Sequence, residues 1–130
     1  MEIKVRFGET DALGHINNTN YFAYMEETRL DFLQKLGLDI SNKDFSIILA
    51  SAKCDFIRQG YFGQILEIDT KVVKIGRTSV TLSTDMVDKE SGNMIAKGEA
   101  TVVYFNVLEQ KPTEIPEWIK TSLEEDFHRV

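Results

Sequence analysis

A chain of 130 residues, 42% hydrophobic and 28% charged, has the size and composition of one folded domain spanning residues 1–130. Its net charge of −6 argues against nucleic acid as the main partner, no apolar run approaches the ~18 residues of a membrane span, and the first residues carry no signal-peptide core. The single cysteine, Cys54, excludes an intramolecular disulfide, and two histidines leave little basis for a cysteine–histidine zinc site, so a cytoplasmic protein without metal is expected.

In chain order, Glu2 to Phe7 alternates with Ile3, Val5 and Phe7 on one side, the pattern of a short strand. Gly8 to Asn18 reads as a loop. From about Asn18 to Leu36 neither Gly nor Pro intervenes, and apolar residues recur at helical spacing. Thr19, Asn18 or Asn17 serves as cap and Gly37 as the closing residue. Those apolar residues (Tyr21, Phe22, Tyr24, Met25, Leu30, Phe32, Leu33, Leu36) cover more than one stripe, which predicts a largely enclosed helix.

Strands are predicted at Phe45–Arg58, Gln64–Ile75, Thr78–Asp88 and Met94–Leu108, the last two joined by a hairpin turn at Lys89–Asn93. Glu114–Phe127 reads as a short amphipathic helix using Ile115, Trp118, Ile119, Leu123 and Phe127. One helix followed by a run of strands predicts an α+β fold with an antiparallel sheet of about five strands. The stretch Val102–Val107 is apolar almost without interruption, so both of its faces are expected to be buried, the second by another copy of the chain.

The segment richest in chemistry runs from Val5 to Tyr21. It sets the carboxylate of Asp11 in a glycine-containing loop that leads into the long helix. The first amides of that helix lack intrahelical acceptors and carry partial positive charge. A carbonyl oxygen gaining negative charge would be stabilised there while the carboxylate attacks or activates water. The same residues also read as turn and cap formers without chemistry, since Asx side chains favour such places.

This stretch, with Phe22–Arg29, resembles the signature of hot-dog-fold acyl-CoA thioesterases of the 4-hydroxybenzoyl-CoA thioesterase type: a strand ending in an aromatic residue, an acidic-x-Asp turn, a glycine, and Asn-Tyr entering a long helix. The resemblance continues through Asp55–Arg58, Gly63 and Ile75–Ser79. It implies a sheet wrapped around a central helix, assembly as a homodimer or dimer of dimers, and active sites at subunit interfaces. It also implies hydrolysis of acyl-CoA to a free acid and CoA without a cofactor. Asp11 matches the family's catalytic nucleophile or general base, and the backbone N–H near Asn18 matches the amide that polarises the thioester carbonyl. Gly14, His15, Asn17 and Tyr21 then shape the substrate site.

Arg58, Arg77, Thr78 and Ser79 are candidates for the CoA phosphates and pantetheine, or else ordinary strand-edge surface. They fall on or beside a segment, residues 53–77, whose five basic and three acidic residues make it the one net-positive part of the chain. His15 is open to proton transfer or loop packing. Glu26 and Glu27 read as partners of Arg29 or Arg6 or as a second carboxylate, Cys54 as a structural thiol or a nucleophile, and His128 as part of an exposed acidic tail. A hot-dog hydratase or dehydratase, or a non-catalytic acyl-CoA-binding protein, is the alternative reading.

Overall fold

A computed structural model of the chain describes residues 1–38 and 44–127. His128 lies outside the described residues. The elements follow in the order β1 (Glu2–Lys4), a 3-10 turn (Phe7–Glu9), α1 (Asn18–Lys35), β2 (Phe45–Phe56), β3 (Ile65–Ile75), β4 (Ser79–Asp88), β5 (Met94–Asn106), β6 (Lys111–Pro112) and α2 (Glu117–Phe127). The strands form one antiparallel sheet in the spatial order β1-β3-β4-β5-β2, with the two-residue β6 on β5. Curled around α1, this is the α+β hot-dog arrangement that the resemblance implies.

Alternation decides which face of the sheet meets α1. Leu66, Ile68, Thr70 and Val72 of β3 are buried, while Glu67, Asp69 and Lys71 between them are exposed. Val80, Leu82, Thr84 and Met86 do the same on β4. Tyr21, Tyr24, Met25 and Leu33 of α1 pack onto this face. Each fully buried aliphatic side chain stabilises the fold by roughly 1.5–3 kcal/mol. Gly98 on β5 makes room for the end of Met25, since a Cβ there would lie 2.5 Å from Met25 Cε and 2.6 Å from its Sδ and the methionine would have to turn aside. The helix ends in a Schellman motif: Leu38 N–H donates to Leu33 O, Gly37 N–H donates to Gln34 O, and Gly37 has φ 102°.

Ile115 just before α2, with Ile119 and Leu123 on it, closes the other half of the core against Leu33, Val72, Val80, Leu82 and Val102. The helix is pinned where the β3–β4 register shifts between Val72 and Lys74, for Val72 N–H donates to Asp126 Oδ2 at 2.8 Å.

Several expectations need correction. β1 stops at Lys4 and Phe7 is 77% exposed, because the chain tightens into the 3-10 turn instead of continuing the strand. α2 begins at Glu117, and Trp118 and Phe127 stand at its exposed face. α1 buries one stripe only: Phe22 and Leu30 are each 38% exposed. Val103, Phe105 and Val107 are half-buried in the single chain, on the outer face of the sheet that also carries Ser79, Thr81, Ser83 and Asp85.

Candidate active site

Residues 9–18 form a small closed turn whose ends are tied together. Asp11 N–H donates to His15 O at 2.8 Å, Gly14 N–H donates back to Asp11 O at 3.0 Å, and Thr10 faces Ile16 as an antiparallel bridge. Gly14 takes φ 80°, a conformation that other L residues adopt only with strain. The Asp11 side chain completes the turn, Oδ1 accepting from Leu13 N–H at 2.9 Å and His15 N–H at 3.1 Å. Its second oxygen carries no hydrogen bond among the described residues, and the residue is exposed in the single chain. Asp11 is thus both a turn former and a carboxylate with an oxygen to spare.

The turn leans on the loop after β2. Ile16 N–H donates to Gly60 O at 2.8 Å, Phe62 N–H donates to Gly14 O at 3.1 Å, and His15 bridges Tyr61. The bare Gly60 lets the turn press this close, because a Cβ at that position would displace the Ile16 side chain and sit 3.1 Å from the Tyr21 hydroxyl. The His15 ring lies edge-on to Tyr61 with centroids 5.0 Å apart, and only its backbone N–H reaches Asp11. Packing is therefore what this geometry gives the imidazole.

α1 starts directly afterwards. Of the three candidate caps, Asn17 is the one used: its Oδ1 accepts from Thr19 N–H at 3.2 Å and Thr19 Oγ1 at 3.1 Å. The Asn18 N–H meets no acceptor among the described residues, so a polarised donor remains open at the helix start. Tyr21, one turn on, is 2% exposed and packs its ring on Phe56 at 5.1 Å. Burial pushes its hydroxyl pKa up.

Glu9 and Tyr24 belong to the same assembly, and neither stands out in the sequence as a site residue. The Glu9 carboxylate accepts from Arg6 N–H at 3.0 Å, from Arg6 Nη2 at 2.6 Å and from the Tyr24 hydroxyl at 2.9 Å. The available signal is the Arg6–Glu9 spacing, which places an acidic side chain back over the first turn. Arg6 therefore pairs with Glu9, and neither Glu26 nor Glu27 forms an ion pair among the described residues. Burial pushes the Glu9 carboxyl pKa up, but hydrogen bonds from Arg6 and Tyr24 and the Arg6 charge outweigh it, and the net value lies below the ordinary one. Burial, then the bond to Glu9, holds the Tyr24 hydroxyl far above its usual range, so it remains a donor.

The sign of the Glu9 effect gives a pH prediction. A depressed carboxyl pKa adds stability that is complete above the unfolded value of about 4.3 and is lost as pH falls through the folded value. Denaturant melts of wild type and Glu9→Gln should therefore differ by a constant amount near neutrality and begin to converge as pH falls below about 4.3. A gap that stays constant down to pH 3 excludes this electrostatic contribution.

The remaining candidates are dispersed. Arg58 N–H donates to Ile95 O at 3.1 Å, whereas Arg77, Thr78 and Ser79 form the β3–β4 turn, with Ser79 opposite Val103. The stretch of β5 from Ile95 to Val103 separates them by about 27 Å at 3.4 Å per residue, so one chain does not bring them together. Cys54 packs against the core, and burial, then Asp55, pushes its thiol pKa up, away from nucleophilic use. Among the described residues no His, Cys, Asp and Glu side chains converge as a metal site, and no helix is long and apolar enough to cross a membrane.

A groove of about 590 Å³ runs beside α1, walled by Phe22, Ala23, Met25 and Arg29 and by Leu49 and Ala52 of β2. Arg29 is 7% exposed, yet no hydrogen bond or ion pair holds its guanidinium among the described residues. Burial lowers its pKa, with Glu26 acting in the other direction.

Residues 5–123 match the family model of the thioesterase-like superfamily. The uncharacterized protein YsmA of Bacillus subtilis is 40% identical over 81 residues, a match covering 62% of this chain and 55% of that protein. Acyl-CoA thioesterase YbgC of Helicobacter pylori is 25% identical over 130 residues, covering 95% of this chain and 98% of that one. The solved structure of BH1999, a gentisyl-coenzyme A thioesterase, superposes with a TM-score of 0.86 at 26% identity, covering 95% of this chain and 98% of that one.

Proposed function

This chain belongs to the thioesterase-like superfamily, and on that premise we propose that it hydrolyses acyl-CoA thioesters to a free carboxylic acid and CoA. The observation that carries the reading is the pairing of Asp11, whose Oδ1 is fixed by two backbone donors while its other oxygen is left over, with an unclaimed N–H at Asn18. In the reaction, the thioester carbonyl oxygen accepts from the Asn18 N–H and gathers negative charge as the carbonyl carbon is attacked. The attacking oxygen is either the Asp11 carboxylate, giving an anhydride that water then opens, or a water whose proton Asp11 removes. The C–S bond breaks, and the sulfur leaves as the thiolate of CoA. His15, Asn17 and Tyr21 shape the pocket, and Gly14 lets the turn close. A cytoplasmic location agrees with the lone Cys54 thiol.

We further propose that the working unit is a homodimer, or a dimer of dimers, formed along β2. This strand has 12 residues and, among the described residues, a partner on one side only, and it exposes Ile48, Leu49 and Phe56 by 41–46%. The Phe45 end of β2 lies by the 76–79 turn, through Asn106 and Tyr104, and the Phe56 end by the Asp11 turn. Antiparallel pairing of two β2 strands swaps those ends, so each Asp11 approaches the other copy's Arg77, Thr78 and Ser79. That arrangement supports a CoA site shared between chains, with Arg58 contributed by the chain that carries Asp11.

A thiol-release assay over aromatic, short, medium and long acyl-CoAs tests the activity. Binding without release would instead favour an acyl-CoA-binding protein, and enoyl-CoA consumption without release a hydratase. Light scattering should give a mass of two or four times 14.9 kDa, and Leu49→Asp should yield monomers with activity reduced about 10-fold or more. A fully active 14.9 kDa species would overturn the dimer.

A further inference from the structure

We propose that Glu9 is a positioning residue, one that sets Asp11 against the start of α1 by binding the turn to the cap of that helix and to its first two turns. The inference rests on the roles given above to Asp11 and Asn18, and adds what holds the two in register.

Glu9 presents two acceptor groups, and both are used. Its backbone carbonyl accepts from Asn17 N–H at 2.9 Å and from the Asn20 side-chain amide at 3.0 Å, which occupies both lone pairs. Its carboxylate Oε1 accepts from the Tyr24 hydroxyl at 2.9 Å. Asn20 and Tyr24 stand four residues apart on one face of α1, and Asn17 is its cap. Asp11 lies two residues after Glu9, and Asn18 one residue after Asn17. Sliding or rotating α1 relative to the turn would break all three links together. Two of the links are made by the backbone carbonyl, which any residue at position 9 supplies, and the Glu9 side chain adds the third, to Tyr24.

The two arms of the carboxylate are unequal. Arg6 is 78% exposed on its side chain, and exposed ion pairs contribute little. Tyr24 is 2% exposed, and its bond to Glu9 is the one that crosses from the turn into the core. If Glu9 merely capped the 3-10 turn, Arg6 would matter as much as Tyr24. If it positions Asp11, the link to Tyr24 dominates and the effect falls on the chemical step.

The full chain, with benzoyl-CoA and decanoyl-CoA as probes, separates these cases. Glu9→Ala should lower kcat about 10- to 100-fold with KM within about 3-fold of wild type. Glu9→Gln, which keeps an acceptor for Tyr24, should recover kcat to within about 5-fold, and Arg6→Ala should stay within about 2-fold. Amide exchange in Glu9→Ala should quicken at Asn17 and the first turn of α1, with β3–β5 unchanged. The proposal is overturned if Glu9→Ala keeps wild-type kcat, or if exchange quickens throughout the sheet and activity falls only with the folded fraction. Should wild type release no thiol from either probe, the hydrolase reading fails for them and exchange alone decides. A change confined to the helix start then supports positioning, and no change there overturns it.

Discussion

Asp11→Asn is expected to lower kcat/KM by about 10²- to 10⁴-fold, the range typical of losing a general base or nucleophile, while the protein stays folded. The substitution is discriminating because of how the turn is built. Oδ1 accepts from Leu13 N–H and His15 N–H, and an asparagine retains a carbonyl oxygen able to do the same. What disappears is the anionic second oxygen that would attack the thioester or take a proton from water. If Asp11 were only a turn former, Asn would serve nearly as well. Thiol-release kinetics beside a thermal melt separate the two roles: unchanged kcat/KM removes Asp11 from the mechanism, and a lowered Tm would place the defect in folding.

Leu66→Ala should destabilise the chain by about 2–5 kcal/mol, a large share of the 5–15 kcal/mol that holds a typical domain together. Leu66 is 0% exposed, pairs with Ile3 on β1 and Asp88 on β4, and shares a cluster with Ile16, Tyr24 and Met25. Truncation leaves a cavity in the part of the core that carries the Asp11 turn and the start of α1. A drop in Tm of roughly 8–20 °C is expected for that loss. Glu67→Ala, one residue along and exposed on the other face, should stay within about 0.5 kcal/mol. Equal effects at the two positions would contradict the alternation that places the core.

Much of the fold is legible residue by residue. The alternation of Leu66, Ile68, Thr70 and Val72 with Glu67, Asp69 and Lys71 requires a half-buried strand whatever surrounds it. Gly37 with φ 102° and Asn17 as cap bound α1 through local chemistry. The Glu9–Asn20 segment announces an acidic turn running into a helix start, and the turn and the open Asn18 N–H are where that pattern puts them. Phe7 and Trp118 mislead because hydrophobicity alone does not tell a core position from a surface one. Phe7 turns outward where the 3-10 turn begins, and Trp118 lies opposite the stripe formed by Ile115, Ile119 and Leu123.

Local sequence determined most of the elements, because periodicity, caps and turn residues act over three or four neighbours, and the motif around Asp11 carried the resemblance to the family. Tertiary structure decided the rest. Glu9 gains its role only when Tyr24, 15 residues on, folds back to it. Gly60 becomes a close contact only when Ile16 and Tyr21 press against it. Arg58 and Arg77 fall within 20 residues of each other in the net-positive segment, yet the sheet sets them at opposite ends. The physical reason is the same in each case: hydrogen bonds and contacts between residues far apart in sequence leave no periodic trace, and their geometry exists only once the chain has closed on itself.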